Sequence, residues 1–158
     1  MRDISEIQTL FSLLIGLQFL LIVVHALVDI PGFIRGSQVR AVVGNRKFWL
    51  GTLSTAIFPT IAVALVVAQW GQPKSEFSLD YWLVYTAITV SSAIGMWWVP
   101  YFFGASEETK RDYLAMYART LQILPRRGDN PRPNLAHILF HLLFLSTLVL
   151  AALLRLAV

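Results

Sequence analysis

The chain of 158 residues has no cysteine and little charge: Asp, Glu, Lys and Arg together make up 14% of it, against 56% hydrophobic residues. Without cysteine there are no disulfides, no thiolate metal ligands and no thiol nucleophile. A soluble domain carries nearer a quarter charged residues. The small amount of charge is also confined, because segments 7–28, 48–73, 81–106 and 133–154 contain no Asp, Glu, Lys or Arg at all. Each segment exceeds the roughly 20 apolar residues that carry a helix across about 30 Å of hydrocarbon. These shortages exclude a soluble enzyme, a disordered tail and a nucleic-acid-binding domain. The net charge of +4 therefore points to anionic headgroups at membrane borders and not to nucleic acid.

What is present predicts an all-α integral membrane protein of one domain, 1–158. Four transmembrane helices in a bundle are expected over about 7–30, 48–70, 81–103 and 134–154, with one amphipathic cytoplasmic surface helix in the loop 104–133. The approach to the first run holds two acids against one Arg. Its apolar stretch is too long for a signal core of about 7–15 residues, so a permanent first helix is expected. Pro31-Gly32 should end that helix, and Pro59 should kink the second. Trp97, Trp98 and Tyr101 read as an aromatic belt. In the long loop, Ser106-Glu107-Glu108 has the chemistry of a helix start. Leu114, Tyr117, Leu121 and Leu124 then recur at three- and four-residue spacing. That pattern predicts a surface helix over about 106–124, ended by Pro125.

Orientation follows from the cations. Loops 31–47 and 104–133 hold ten of the thirteen Lys and Arg residues. The positive-inside rule places both loops in the cytoplasm and both termini outside, as for a protein of the bacterial inner membrane.

Ionisable groups inside apolar spans are functional candidates, because burying them in lipid is costly. His25 and Asp29 are four apart on the first predicted helix, and His137 and His141 repeat that spacing on the last. Counted from Pro31 and Pro133, His25 lies roughly 9 Å inside the border, and His137 and His141 roughly 6 and 12 Å. If the first and last helices touch, three imidazoles and a carboxylate meet. Such a set suits zinc or iron, with His25, His137 and His141 as ligands and Asp29 as ligand or general base. Arg46, Arg126, Arg127 and Arg132 would rim the mouth and hold a lipid headgroup. The pattern resembles the ceramidase and adiponectin-receptor superfamily, which pairs one upstream His with H-x-x-x-H in its last helix. That family has seven spans, and it carries Ser where this chain has Leu21. In length and termini-out topology the chain is also similar to the four-span membrane glutathione transferases, whose Arg and Asn signature is echoed in Arg40 and Asn45.

Three functions are therefore expected to compete. The first is a metal-dependent enzyme acting on a lipid or membrane-soluble substrate. The second is a non-enzymatic subunit or transporter protomer, working as a homo-oligomer or within a larger membrane complex, in which the histidines are structural. The third is a haem b protein with one axial His from each of two helices.

Overall fold

A computed structural model describes residues 4–70 and 72–157; Arg2 and Asp3, which flank the first run, lie outside the described residues. The chain runs α1 (Ile4–Leu27), β1 (Asp29–Ile30), β2 (Ile34–Arg35), α2 (Gly36–Val43), α3 (Asn45–Ala68) and α4 (Glu76–Ala93). It continues through one π turn (Ile94–Trp98) into α5 (Val99–Phe103), then α6 (Glu107–Tyr117) and α7 (Leu135–Leu156). Four helices are long and apolar enough to cross a membrane: Glu6–Leu27, Asn45–Ala68, Glu76–Phe103 and Leu135–Leu156. Their outward faces carry large apolar side chains such as Leu13, Leu53, Ile88 and Leu142, each more than half exposed in the isolated chain.

α7 packs between α1 and α4, α1 also packs on α3, and α3 touches α4 only lightly. The expected meeting of the first and last long helices is therefore present. The core is thin and concentrated in the half of the bundle away from the long loop. Phe11 and Ile15 of α1 meet Ala62 and Val66 of α3, Leu79 and Trp82 of α4, and Ala151 and Leu154 of α7. Phe11 and Trp82 lie 4.8 Å apart, a pair that adds about 0.5–1.5 kcal/mol beyond its buried area. A buried polar network crosses this apolar packing. Gln18, fully buried, donates to Thr147 Oγ1 and accepts from the Tyr85 hydroxyl at 3.1 Å, tying α1 to α7 and α4.

Helix ends follow local chemistry. Ser75, Ser106 and Asn134 occupy N-cap positions and accept from Ser78 N, Thr109 N and His137 N respectively, each satisfying one orphan donor of a first turn. Several ends depart from the sequence expectation, α4 starting at Glu76 behind its Ser75 cap and not near Tyr81. α1 stops at Leu27 and not near Ile30, because Asp29 and Ile30 pair antiparallel with Arg35 and Ile34. Pro31-Gly32 is the tight turn of that hairpin, with Gly32 at φ +75° and Phe33 N–H donating to Ile30 O.

The surface helix likewise ends at Tyr117, seven residues short of the predicted Leu124. Thr120 N–H, Thr120 Oγ1 and Gln122 Nε2 all donate to the Tyr117 carbonyl. Leu121 N–H then donates to Gly32 O, and Leu121 O accepts from Leu135 N–H. Long-range backbone pairing has overridden a helical periodicity. Leu114 and Leu121, of the predicted apolar stripe, are exposed in the isolated chain, while Tyr113 is buried against the bundle end.

The hairpin and α2 close over the end of α1 at one tight point. A Cβ added to Gly36 would lie 2.7 Å from the backbone oxygen of His25. Neither backbone can yield cheaply, so Gly36→Ala should lower stability by about 1–3 kcal/mol. Gly51, in α3, has nothing within 4 Å of such an atom, and Gly51→Ala should leave stability unchanged or slightly raised. Thermal unfolding of the detergent-purified variants checks the contrast; equal midpoints for the two would refute it.

Candidate functional site

The three histidines do converge, at the end of the bundle covered by the hairpin, α2, α6 and the loop before α7. His137 is central and buried, and His25 and His141 are half-buried. The His25 ring meets the His137 ring edge-on at 5.9 Å, and the His137 and His141 rings lie 6.2 Å apart. Around them stands an aromatic cup. Trp97 lies 3.7 Å from His137, Tyr117 meets His137 edge-on at 5.2 Å, and Phe140 meets His25 at 5.8 Å.

Two adjacent tryptophans serve this cup because of the π turn. Pro100 has no N–H to give to the carbonyl one turn before it, and a widened turn is one response of a helix to that loss. Val99 N–H reaches back to Ile94 O across the turn. As a result both Trp97 and Trp98 reach α7. Trp97 lies tilted against His137, while Trp98 Nε1–H donates to His141 Nδ1 at 3.0 Å. The sequence alone read these residues as a membrane-border belt.

The hydrogen bonds fix the tautomers. Asn134 Nδ2 donates to Thr120 Oγ1 at 3.0 Å, and Thr120 in turn donates to Tyr117 O. That sets the Asn134 amide with Oδ1 toward His137, where it accepts from the backbone N–H at 3.0 Å and from Nδ1 at 2.7 Å. Neutral His137 therefore carries its proton on Nδ1 and keeps a lone pair on Nε2. His141 accepts on Nδ1, so its proton sits on Nε2. Tyr117 remains a neutral phenol at physiological pH, since burial and the neighbouring Tyr113 push it up to about 12.

Asp29 is not part of the group. It lies on β1, exposed, and both its oxygens are taken by Ser37: Oδ1 accepts the backbone N–H at 3.0 Å and Oδ2 the hydroxyl. The carboxylate thus caps α2 from outside, where Arg35 in the N-cap position offers no side-chain bond. The Ser37 bonds, first, and the charges of Arg35 and Arg40, second, hold its carboxyl below the usual range.

The expected basic rim is also dispersed. Arg46 and Arg126 are exposed. Arg127 stacks over Tyr101 and Phe102, at 5.3 and 4.8 Å, and Arg132 donates to Leu124 O. Among the described residues none of the four bonds to a histidine.

Three imidazoles sharing a zinc ion would each need a nitrogen about 2.0–2.1 Å from it. Among the described residues, no group of three or more His, Cys, Asp or Glu is placed to hold a metal ion. His141 gives the chemical reason. A ligating imidazole ordinarily donates its second N–H to an outer partner, whereas His141 Nδ1 accepts. A haem between His25 and His137 fits no better, because Trp97, Tyr117 and Phe140 crowd the flanks of that pair. Compared with known proteins, the chain matches no family model, and no curated protein or solved structure is significantly similar to it.

The Asp29 cap has a testable pH signature. Its native pKa lies below the unfolded value, so its contribution is complete above the ordinary carboxyl range and is lost as pH falls through the lower native value. Asp29→Asn should remove that acid-side dependence while leaving His137 and His141 in place. Unfolding of the two proteins at pH 7 and near pH 3 measures it; an unchanged acid slope would show that the cap contributes nothing.

Proposed function

We propose that this chain is an integral membrane protein that acts on the polar end of a lipid or other membrane-soluble substrate, with the histidine group as a metal-free proton-handling site. The single observation that supports this reading is the opposed tautomers of His137 and His141. One ring presents a lone pair on Nε2 and the other an N–H on Nε2. A pair so arranged can accept a proton from a hydroxyl or water and deliver one to a departing oxygen. Trp97, Tyr117 and Phe140 exclude water around it, which strengthens each polar interaction. In this reading the ten cations of loops 31–47 and 104–133 support a cytoplasmic position for the histidine end of the bundle.

A second reading keeps a metal at the same place. It is favoured by the Asn134–His137 bond, which has the form of an outer-shell contact to a ligating imidazole.

Nitrogen-15 spectra of histidine-labelled protein in detergent test the first reading. His137 should report the Nδ1–H form and His141 the Nε2–H form. Trp98→Phe should release the His141 preference and Asn134→Ala that of His137. One shared tautomer in the wild type would overturn the proposal. Stoichiometric zinc or iron in the purified protein, lost in His25→Ala and His137→Ala, would establish the metal reading in its place.

The orientation is checked separately. A reporter active only in the cytoplasm should signal when inserted near Gly128 and stay silent when fused after Val158. The reverse pattern would place the histidines on the outer face.

A further inference from the structure

A second polar feature stands apart from the histidines. Between the β2–α2 segment and α6 lies a cleft of about 290 Å³, with Arg35, Gln38, Leu114, Met116 and Arg119 among its walls. The two walls come from different loops, and Gln38 Nε2 holds them together by donating to Ala115 O at 3.0 Å. Neither Arg35 nor Arg119 has an ion-pair partner among the described residues. The acid facing Arg35 across the hairpin is Asp29, and Ser37 already occupies both its oxygens. Two guanidinium groups therefore line one concavity with neither held in an ion pair among the described residues, Asp29 acting on Arg35 only from longer range. Leu114 beside them is 55% exposed.

We propose that this cleft binds the headgroup phosphate of an anionic phospholipid. Guanidinium donors match phosphate oxygens in a two-pronged geometry that a lysine cannot reproduce. The volume falls just below the roughly 300–1,000 Å³ of pockets that enclose whole drug-sized ligands, which fits a headgroup with its chains left outside. Leu114 and Met116 supply the apolar path along which the glycerol and acyl stem depart. A free phosphate would use the arginines but gain nothing from these two side chains. The proposal rests on the membrane part of the reading above and is independent of the histidine chemistry.

Native mass spectrometry of the full chain in detergent, titrated with phosphatidylglycerol and with phosphatidylcholine, tests it. Phosphatidylglycerol should bind at least about ten-fold more tightly. Each of Arg35→Gln and Arg119→Gln should weaken it about five-fold, the effect of one cation near an anionic surface. Arg111→Gln, on α6 and 75% exposed, makes the same charge change away from the cleft and should leave binding unaltered. If Arg35→Gln fails to fold, the exposed Arg119→Gln alone decides the matter.

Equal binding of the two lipids overturns the proposal, as does an equal loss in Arg111→Gln and Arg119→Gln. Millimolar inorganic phosphate that fully displaces the lipid would assign the cleft to a soluble phosphate instead. His137→Gln should retain the lipid, so failure of the histidine site and failure of the cleft give different results.

Discussion

At the entrance of α7 the Asn134 side chain joins the first turn of that helix to the loop beyond α6. Its oxygen caps α7 and holds His137 Nδ1, and its nitrogen reaches Thr120 in the loop beyond α6. The residue is 1% exposed, so an unmet donor or acceptor there would cost about 1–3 kcal/mol. Both ends of the amide have to be matched at once, which fixes the loop before α7 relative to the helix it precedes. The tautomer of His137 follows from that match, and so does the position of Tyr117, whose carbonyl receives Thr120. The polar end of the bundle is organised around this amide.

The apolar part of the bundle has a different logic. In the membrane setting proposed above, side chains gain little by leaving lipid for other helices, so association leans on close fit and on a few hydrogen bonds. Phe11 against Trp82 provides the fit. The core also retains a cost, because Trp82 Nε1 is buried without a partner among the described residues. Near the capped end the π turn trades a regular hydrogen-bond ladder for the delivery of two neighbouring indoles to one face. Wide turns of this kind are often found at functional sites.

The four long helices could be read from the sequence because charge is absent from each run and hydrophobicity needs no partner to be visible. The convergence of His25 with His137 was also legible, since depth along two straight helices is simple arithmetic. Asp29 was misplaced for a tertiary reason. Its spacing from His25 fits a helix, but backbone pairing with Arg35 captured it. Leu121 failed in the same way, drawn out of a helical repeat by the carbonyl of Gly32. Trp97 and Trp98 were visible only as border aromatics, and the available hint was Pro100 just beyond them. Asn134 carried a fair signal, an N-cap residue three positions before His137, although the surrounding turn residues concealed it. The role of Gln18 had no local signature at all.

Gln18 sits two turns from His25 on nearly the same face of α1. Close fit resists swivelling of a leucine-rich helix about its long axis, and directional bonds resist it further. The bonds from Gln18 to Thr147 and Tyr85 act as an angular lock on such swivelling. A slip of one position would turn the face of α1 by roughly 100° and carry His25 away from His137. Part of the aim of the histidine cluster is therefore set deep in the apolar half of the bundle, by an uncharged amide that never touches an imidazole.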